Sequence, residues 1–268
     1  MTDKKEVFDF WNEASCGEDM LLSHANKAGY EQQLSERYLL EPYIQDFADF
    51  SSSTGKKVLE IGVGLGADHQ KFAENGAILF GVDLTERAIE HVTKRFEIFD
   101  LSSTLSVGDA ENLGFEGEKF DVVYSWGVIH HSPDTPRAIE EIFRVLKSGG
   151  HAKIMIYHKW SMIGFMLWLR YGLLRCRPLR SLAEIYSLYL ESPGTKAYTV
   201  AEGYELFSKF QNVSVDTVLT HGDLLTSKAG QRHEGIILDI ARAIWPRFFV
   251  RRFFSKSGLF MLIDAEKP

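Results

Sequence analysis

Three glycines at alternate positions, Gly62, Gly64 and Gly66, follow the apolar run Val58–Ile61 and precede Ala67-Asp68. Glycine lets a chain turn sharply and lets a ligand come close to main-chain atoms. The same residues satisfy the dinucleotide fingerprint as Gly62-x-Gly64-x-x-Ala67. The loop alone does not separate a nicotinamide dinucleotide from another adenosine ligand, and a purely structural turn is the bland alternative. Asp83, 17 residues after Gly66, can accept hydrogen bonds from ribose hydroxyls or can cap the helix that begins near Thr85. Asp109, after Gly108, can accept an adenine amino group or serve a turn. Glu60 lies inside an apolar strand, where a charge needs a partner, and a cationic ligand or its amino group supplies one. His130 and His131 are imidazoles that titrate near neutrality and can take a proton; their other reading is to shape the loop before Ser132-Pro133. As metal ligands they have only Asp134 at hand, so no metal is expected. Tyr157 and His158 are further pocket candidates, with an ordinary strand end as the alternative.

These residues need elements to position them. Short strands alternate with amphipathic helices over residues 57–157. Strands are expected at Lys57–Ile61, Ala77–Val82, Leu105–Val107, Phe120–Trp126 and His151–Tyr157. A helix is expected from Thr85 to Phe96. Another is expected to be capped by Thr135, with Pro136 at its first position, and to end at Lys147–Gly150. This alternation implies a parallel sheet covered on both faces. A helix over Tyr30–Phe50 precedes the first strand. Residues 159–209 read as mostly helical with a break at Ser192-Pro193-Gly194, and Thr199 with Glu202 makes a capping box. Val213, Val215 and Val218 suggest a sixth strand, and Leu259–Ile263 a seventh. The organisation is an N-terminal helical cap (1–54), an α/β core (55–158), a helical insertion (159–210), and remaining strands with a basic, aromatic helical insertion (211–268).

The 268 residues are 45% hydrophobic and 25% charged, which excludes collagen-like, low-complexity and disordered classes. No run of about 20 apolar residues is present, and the N-terminus meets no signal core, so a cytoplasmic chain is expected. Cys16 and Cys176 lie far apart without metal-ligand spacing, consistent with a reducing compartment. The net charge of −7 is uneven: residues 160–181 carry +4 and residues 241–256 carry +5, each without an acid, which leaves −16 on the rest. An acidic body argues against a nucleic-acid partner. The two basic segments are interleaved with Trp and Phe, so they read either as lid helices with outward arginines or as peripheral membrane contacts.

The segments Val58–Asp68, Gly81–Asp83, Gly108–Ala110 and Phe120–His131, in this order, resemble the class I S-adenosylmethionine-dependent methyltransferases. The small-molecule branch related to the ubiquinone and menaquinone methyltransferases is the most similar. The resemblance covers roughly residues 55–157 and implies a doubly wound α/β fold. Its seven-stranded sheet would have the order 3-2-1-4-5-7-6, with the last strand antiparallel and a helical lid insertion. It also implies a cofactor cradle. Gly62, Gly64 and Gly66 would pass beneath the methionine part, Glu60 would lie near its amino group, and Asp83 with Leu84 would hold the ribose. Asp109 and Ala110 would hold the adenine, and Ser125 and Trp126 would lie beside the transferable methyl. The acceptor would be a small aromatic or lipophilic molecule, with His130 or His131 as the candidate base. A nicotinamide-dependent oxidoreductase and a non-catalytic cofactor-binding or membrane-associated protein are the alternatives. Ser125-Trp126-Gly127-Val128 stands where an amino-methylating nucleic-acid enzyme carries Asn/Asp-Pro-Pro-aromatic.

Overall fold

Strands β1 (Lys57–Ile61), β2 (Ile78–Asp83), β3 (Thr104–Val107), β4 (Phe120–Trp126), β5 (Leu146–Tyr157), β6 (Gln211–Val218) and β7 (Phe260–Glu266) form one sheet in the computed structural model, which describes residues 4–227 and 236–268. Their order is β3-β2-β1-β4-β5-β7-β6. The first five run parallel, and β7 lies antiparallel between β5 and β6, with Ile154 and Val215 both opposite Ile263. The expected order and the reversed last strand are both present.

The helices of the core connect these strands: α5 (Ala67–Glu74), α6 (Glu86–Phe99) and α7 (Thr135–Val145). Continuous apolar runs in β1 and β4 follow from helices on both faces. One face packs Leu59, Val123 and Ile154 against Ala138, Ile142 and Val145 of α7. The other packs Val58, Val122 and Tyr124 against Phe72 of α5 and Val92 and Phe96 of α6. Fully burying each such side chain contributes about 1.5–3 kcal/mol.

Helix boundaries depart from the sequence expectation where side chains compete for backbone donors. The Tyr30–Phe50 helix is two helices, α3 (Lys27–Leu40) and α4 (Tyr43–Ala48), because Pro42 excludes helical geometry at Glu41. Two further helices, α1 (Lys4–Glu13) and α2 (Glu18–Leu21), come before them. Asp134, not Thr135, caps α7 by accepting from Arg137 N; the Thr135 hydroxyl donates to the Ile129 carbonyl. That helix stops at Val145, and Leu146 already pairs with Phe120, so Lys147–Gly150 belongs to β5 rather than to a helix end.

Residues 159–209 hold α8 (Met162–Tyr171), α9 (Leu182–Tyr189) and α10 (Val200–Leu206), the last with the expected Thr199–Glu202 capping box. Helices α11 (Ile236–Ile244) and α12 (Arg247–Phe253) lie between β6 and β7. Buried Asp223 ties these insertions to the core. One carboxylate oxygen accepts from Ile163 N at the start of α8, and the other accepts from Leu259 N and from Thr220. The Asp223 carbonyl accepts from Trp245 Nε1.

Candidate functional site

Strand order reverses between β1 and β4, and ligands bind at such switch points beyond the carboxyl ends of the strands. A cavity of about 760 Å³ lies there. Its floor is the glycine loop. Gly62 has φ +80° and packs so tightly that a Cβ would stand 2.1 Å from Val128 Cγ2. Gly64 has φ +50°, yet a Cβ there would meet nothing within 4 Å. Gly62 is therefore required by packing and backbone shape, while Gly64 leaves bare main chain facing the cavity. Gly66 precedes α5 and closes against Val92.

Asp83 ends β2 on the cavity wall with Leu84 beside it. One carboxylate oxygen accepts from the Thr85 amide and hydroxyl at 3.0 and 2.9 Å, and the other accepts from Gly64 N at 3.2 Å. Thr85 itself caps α6 by accepting from Ala88 N, so the capping alternative for Asp83 falls away. Burial raises the Asp83 pKa against the pull of these donors. At the end of β3, Asp109 accepts from Glu111 N and from Lys4 Nζ at 2.5 Å, and Ala110 lines the wall beside it. Lys4 also meets Glu111, so α1 is fastened over this end of the cavity.

Glu60 finds its partner inside the fold, which corrects the expectation that a ligand must supply one. His69 Nδ1 lies 2.8 Å from Glu60 Oε2. The Ser103 hydroxyl donates to the Leu79 carbonyl, so it can accept from His69 Nε2–H, which assigns Nδ1 as an acceptor. Burial pushes His69 down to about 3 and Glu60 well above the usual carboxylate range, so a protonated Glu60 donating to a neutral His69 satisfies both. Glu60 still lines the cavity.

Ser125 and Trp126 separate. Ser125 is fully buried and donates to the Ile61 carbonyl, away from the cavity wall. Neighbouring strand residues face opposite ways, and Trp126 is on the wall, stacked near Tyr43 with ring centroids 6.0 Å apart. The two histidines separate as well. His130 is fully buried and off the wall; burial, then His131 and Lys196, push it well below its ordinary pKa, so it is neutral. His131 is on the wall, with Nδ1 at 2.8 Å from Ser192 Oγ and 3.1 Å from Thr195 Oγ1. The Tyr157 hydroxyl, also on the wall, donates to Glu191 Oε2 at 2.6 Å. His158 lies off the wall with Nδ1 3.1 Å from the Gly258 carbonyl, the ordinary strand-end reading.

Several wall residues carried no sequence signal. Glu191 sits next to the Ser192–Gly194 break, and only the folded chain brings it to His131. Glu41 stands at the α3–α4 elbow, where burial pushes its carboxyl up to about 7 despite Arg37. Nearby, Asp68 accepts from Arg37, Tyr38 and Tyr124. Burial works to raise the Asp68 pKa, and these donors override it and keep the carboxylate below its usual range.

Residues 59–154 match the family model described as a methyltransferase domain. The chain is 33% identical over 133 residues to phosphoethanolamine N-methyltransferase 2 of Caenorhabditis elegans, covering 49% of this chain and 28% of that protein. It is 40% identical over 100 residues to the phthiotriol/phenolphthiotriol dimycocerosates methyltransferase of Mycobacterium leprae, covering 37% and 36%. The chain thus spans well under two thirds of these relatives. The solved Haemonchus contortus phosphoethanolamine N-methyltransferase 2, in complex with phosphomonomethylethanolamine and S-adenosylhomocysteine, superposes with a TM-score of 0.58 at 21% identity. That likeness covers 84% of this chain and 53% of the other, and it bears on the fold alone. Family match and sheet order agree: residues 59–154 are similar to a methyltransferase domain, and the strand order is the one that the resemblance to class I S-adenosylmethionine-dependent methyltransferases implies.

Proposed function

We propose that the protein transfers a methyl group from S-adenosylmethionine to a small lipophilic or aromatic acceptor met at a lipid surface, in the cytoplasm. The observation that carries this reading is the continuity of the cavity. It runs from bare Gly64 and the Asp83 carboxylate, past Trp126, to apolar walls that include Met155, Ile163, Leu167, Leu238 and Leu259.

The cradle fits the cofactor. Asp83 is a half-buried acid on the wall, held by Thr85 and Gly64 N and placed to accept from ribose hydroxyls, and Glu60 offers a buried carboxyl to an ammonium group. Asp109 and Ala110 receive the adenine, with Lys4 already engaging Asp109 from above. Bound there, S-adenosylmethionine supplies a methyl carbon made electrophilic by its sulfonium. The chain supplies alignment: Trp126 and Met155 form a greasy wall, and a water-poor space suits the loss of positive charge. His131 is the histidine that faces the acceptor space.

The lipid surface is supported by what α8, α12 and their flanks leave uncovered. Trp160, Phe165 and Leu174 are exposed, Leu179 is 98% exposed, and Phe248 is 82% exposed. Arg170, Arg175, Arg177, Arg251 and Arg252 are exposed among them. No helix among the described residues is long and apolar enough to cross a membrane, which leaves peripheral contact as the form of the proposal. Two cysteines outside any disulfide support a reducing compartment. The test is incubation with S-adenosylmethionine and a panel of amphiphilic amines, phenols and fatty acyl compounds dispersed in vesicles. Acceptor-dependent release of S-adenosylhomocysteine is expected; none across the panel would count against the reading.

A further inference from the structure

We propose that His130, His131 and Glu191 form a site for one divalent transition-metal ion at the acceptor end of the cavity. One donor atom from each lies within 4.8 Å of the others. The geometry is assembled by loops about sixty residues apart in sequence, which is why the histidine pair alone gave no third ligand. Asp134, the acid nearest in sequence, is engaged as the cap of α7.

The observation that points to a ligand is His130. Its side chain is fully buried, and neither ring nitrogen has a hydrogen-bond partner. A buried polar group left unpaired is costly, and native folds avoid it. An ion bound by this imidazole removes the cost. His131 is prepared for the same task. The hydroxyls of Ser192 and Thr195 hold Nδ1, while Nε2 has no hydrogen-bond partner and lies 3.4 Å from Glu191 Oε2. Fixing one imidazole nitrogen to orient the other is how metal-binding histidines are usually held. Glu191 is steadied by the Tyr157 hydroxyl.

Two imidazoles and one carboxylate suit zinc, iron, cobalt or manganese better than calcium or magnesium. Three protein ligands leave positions open, the pattern of sites that bind a reacting molecule. His131, Glu191 and Tyr157 line the cavity, so an open position faces the acceptor space. The ion would there hold an acceptor oxygen or nitrogen and favour its deprotonated form. That role rests on the methyltransferase reading; the binding site itself does not.

The test is a titration of chelator-treated full-length protein with Co²⁺, followed by visible absorption and then by displacement with Zn²⁺. One saturable equivalent with ligand-field bands is expected. His130→Ala and Glu191→Gln should each weaken it by at least about tenfold. Glu191 is partly exposed, so Glu191→Gln keeps the test valid if His130→Ala fails to fold. S-adenosylhomocysteine binding, measured separately, should persist in Glu191→Gln, which separates this site from the cofactor reading. Absence of a saturable Co²⁺ spectrum, or unchanged Co²⁺ affinity in Glu191→Gln, would overturn the proposal.

Discussion

Asp83 braces the glycine loop through Gly64 N and opens helix α6 through Thr85, all from one carboxylate. Removing it therefore acts on the loop and on the proposed ribose contact together. Asp83→Ala should weaken S-adenosylhomocysteine binding by ~1.5–3 kcal/mol, the worth of a charge-assisted hydrogen bond; calorimetry on the variant measures it, and unchanged affinity would remove the ribose assignment. The positions of Asp83 and the glycines were legible because they are local: an acid at a strand end and a bend that needs positive φ can be seen in adjacent letters. Ser125 was misplaced because adjacent strand residues face opposite sides, and the motif did not say which of Ser125 and Trp126 faces the cavity. Glu60 was recognised as needing a partner, but His69 reaches it only through the turn into α5. Glu191 was invisible, since nothing in its neighbourhood signals that the fold will bring it to His131.

Among the elements, the core strands were legible from their apolar runs, and the antiparallel β7 from the resemblance. Helix ends were less so. Pro42 splits the expected N-terminal helix at a residue whose backbone effect is well known, and Asp134 displaces Thr135 as a cap because its carboxylate reaches Arg137 N. Composition singled out α8 and α12 as basic and aromatic, and both leave large apolar side chains in solvent, which a soluble helix normally buries. Arg251 and Arg252 are exposed on α12, beside Phe253 at 63% exposure. Each cation near an anionic surface contributes about 1 kcal/mol. The full chain is therefore expected to co-float with phosphatidylserine-containing vesicles and much less with phosphatidylcholine alone. Replacing Arg251 and Arg252 together by Ala should weaken the association by roughly 2 kcal/mol, about thirtyfold. Equal flotation of wild type and variant, or none with either lipid, would contradict a lipid-surface role.

For the molecule as a whole, the sheet order decides where chemistry can occur. Reversal at β1/β4 opens a single crevice, and the N-terminal helices close one end of it through Lys4 while the insertions wall the other through Asp223. The charge distribution follows the same division: residues 160–181 and 241–256, on the insertions, carry +4 and +5 without an acid, and the rest of the chain is acidic. The fold was legible because it depends on patterns repeated along the strands, and the residues that the resemblance assigns to the cofactor, Ser125 excepted, lie on the wall of the crevice. At the acceptor end sequence reasoning reached His131 and Tyr157 but not Glu191, nor how side chains from α8, α11 and the residue 190 loop meet after folding. The crevice is proposed to hold the adenosyl sulfonium of S-adenosylmethionine, and titration calorimetry of the chain with S-adenosylhomocysteine, and separately with NADH, decides it. One saturable equivalent of S-adenosylhomocysteine and no heat with NADH is the predicted result; no binding of S-adenosylhomocysteine together with saturable NADH binding would contradict it.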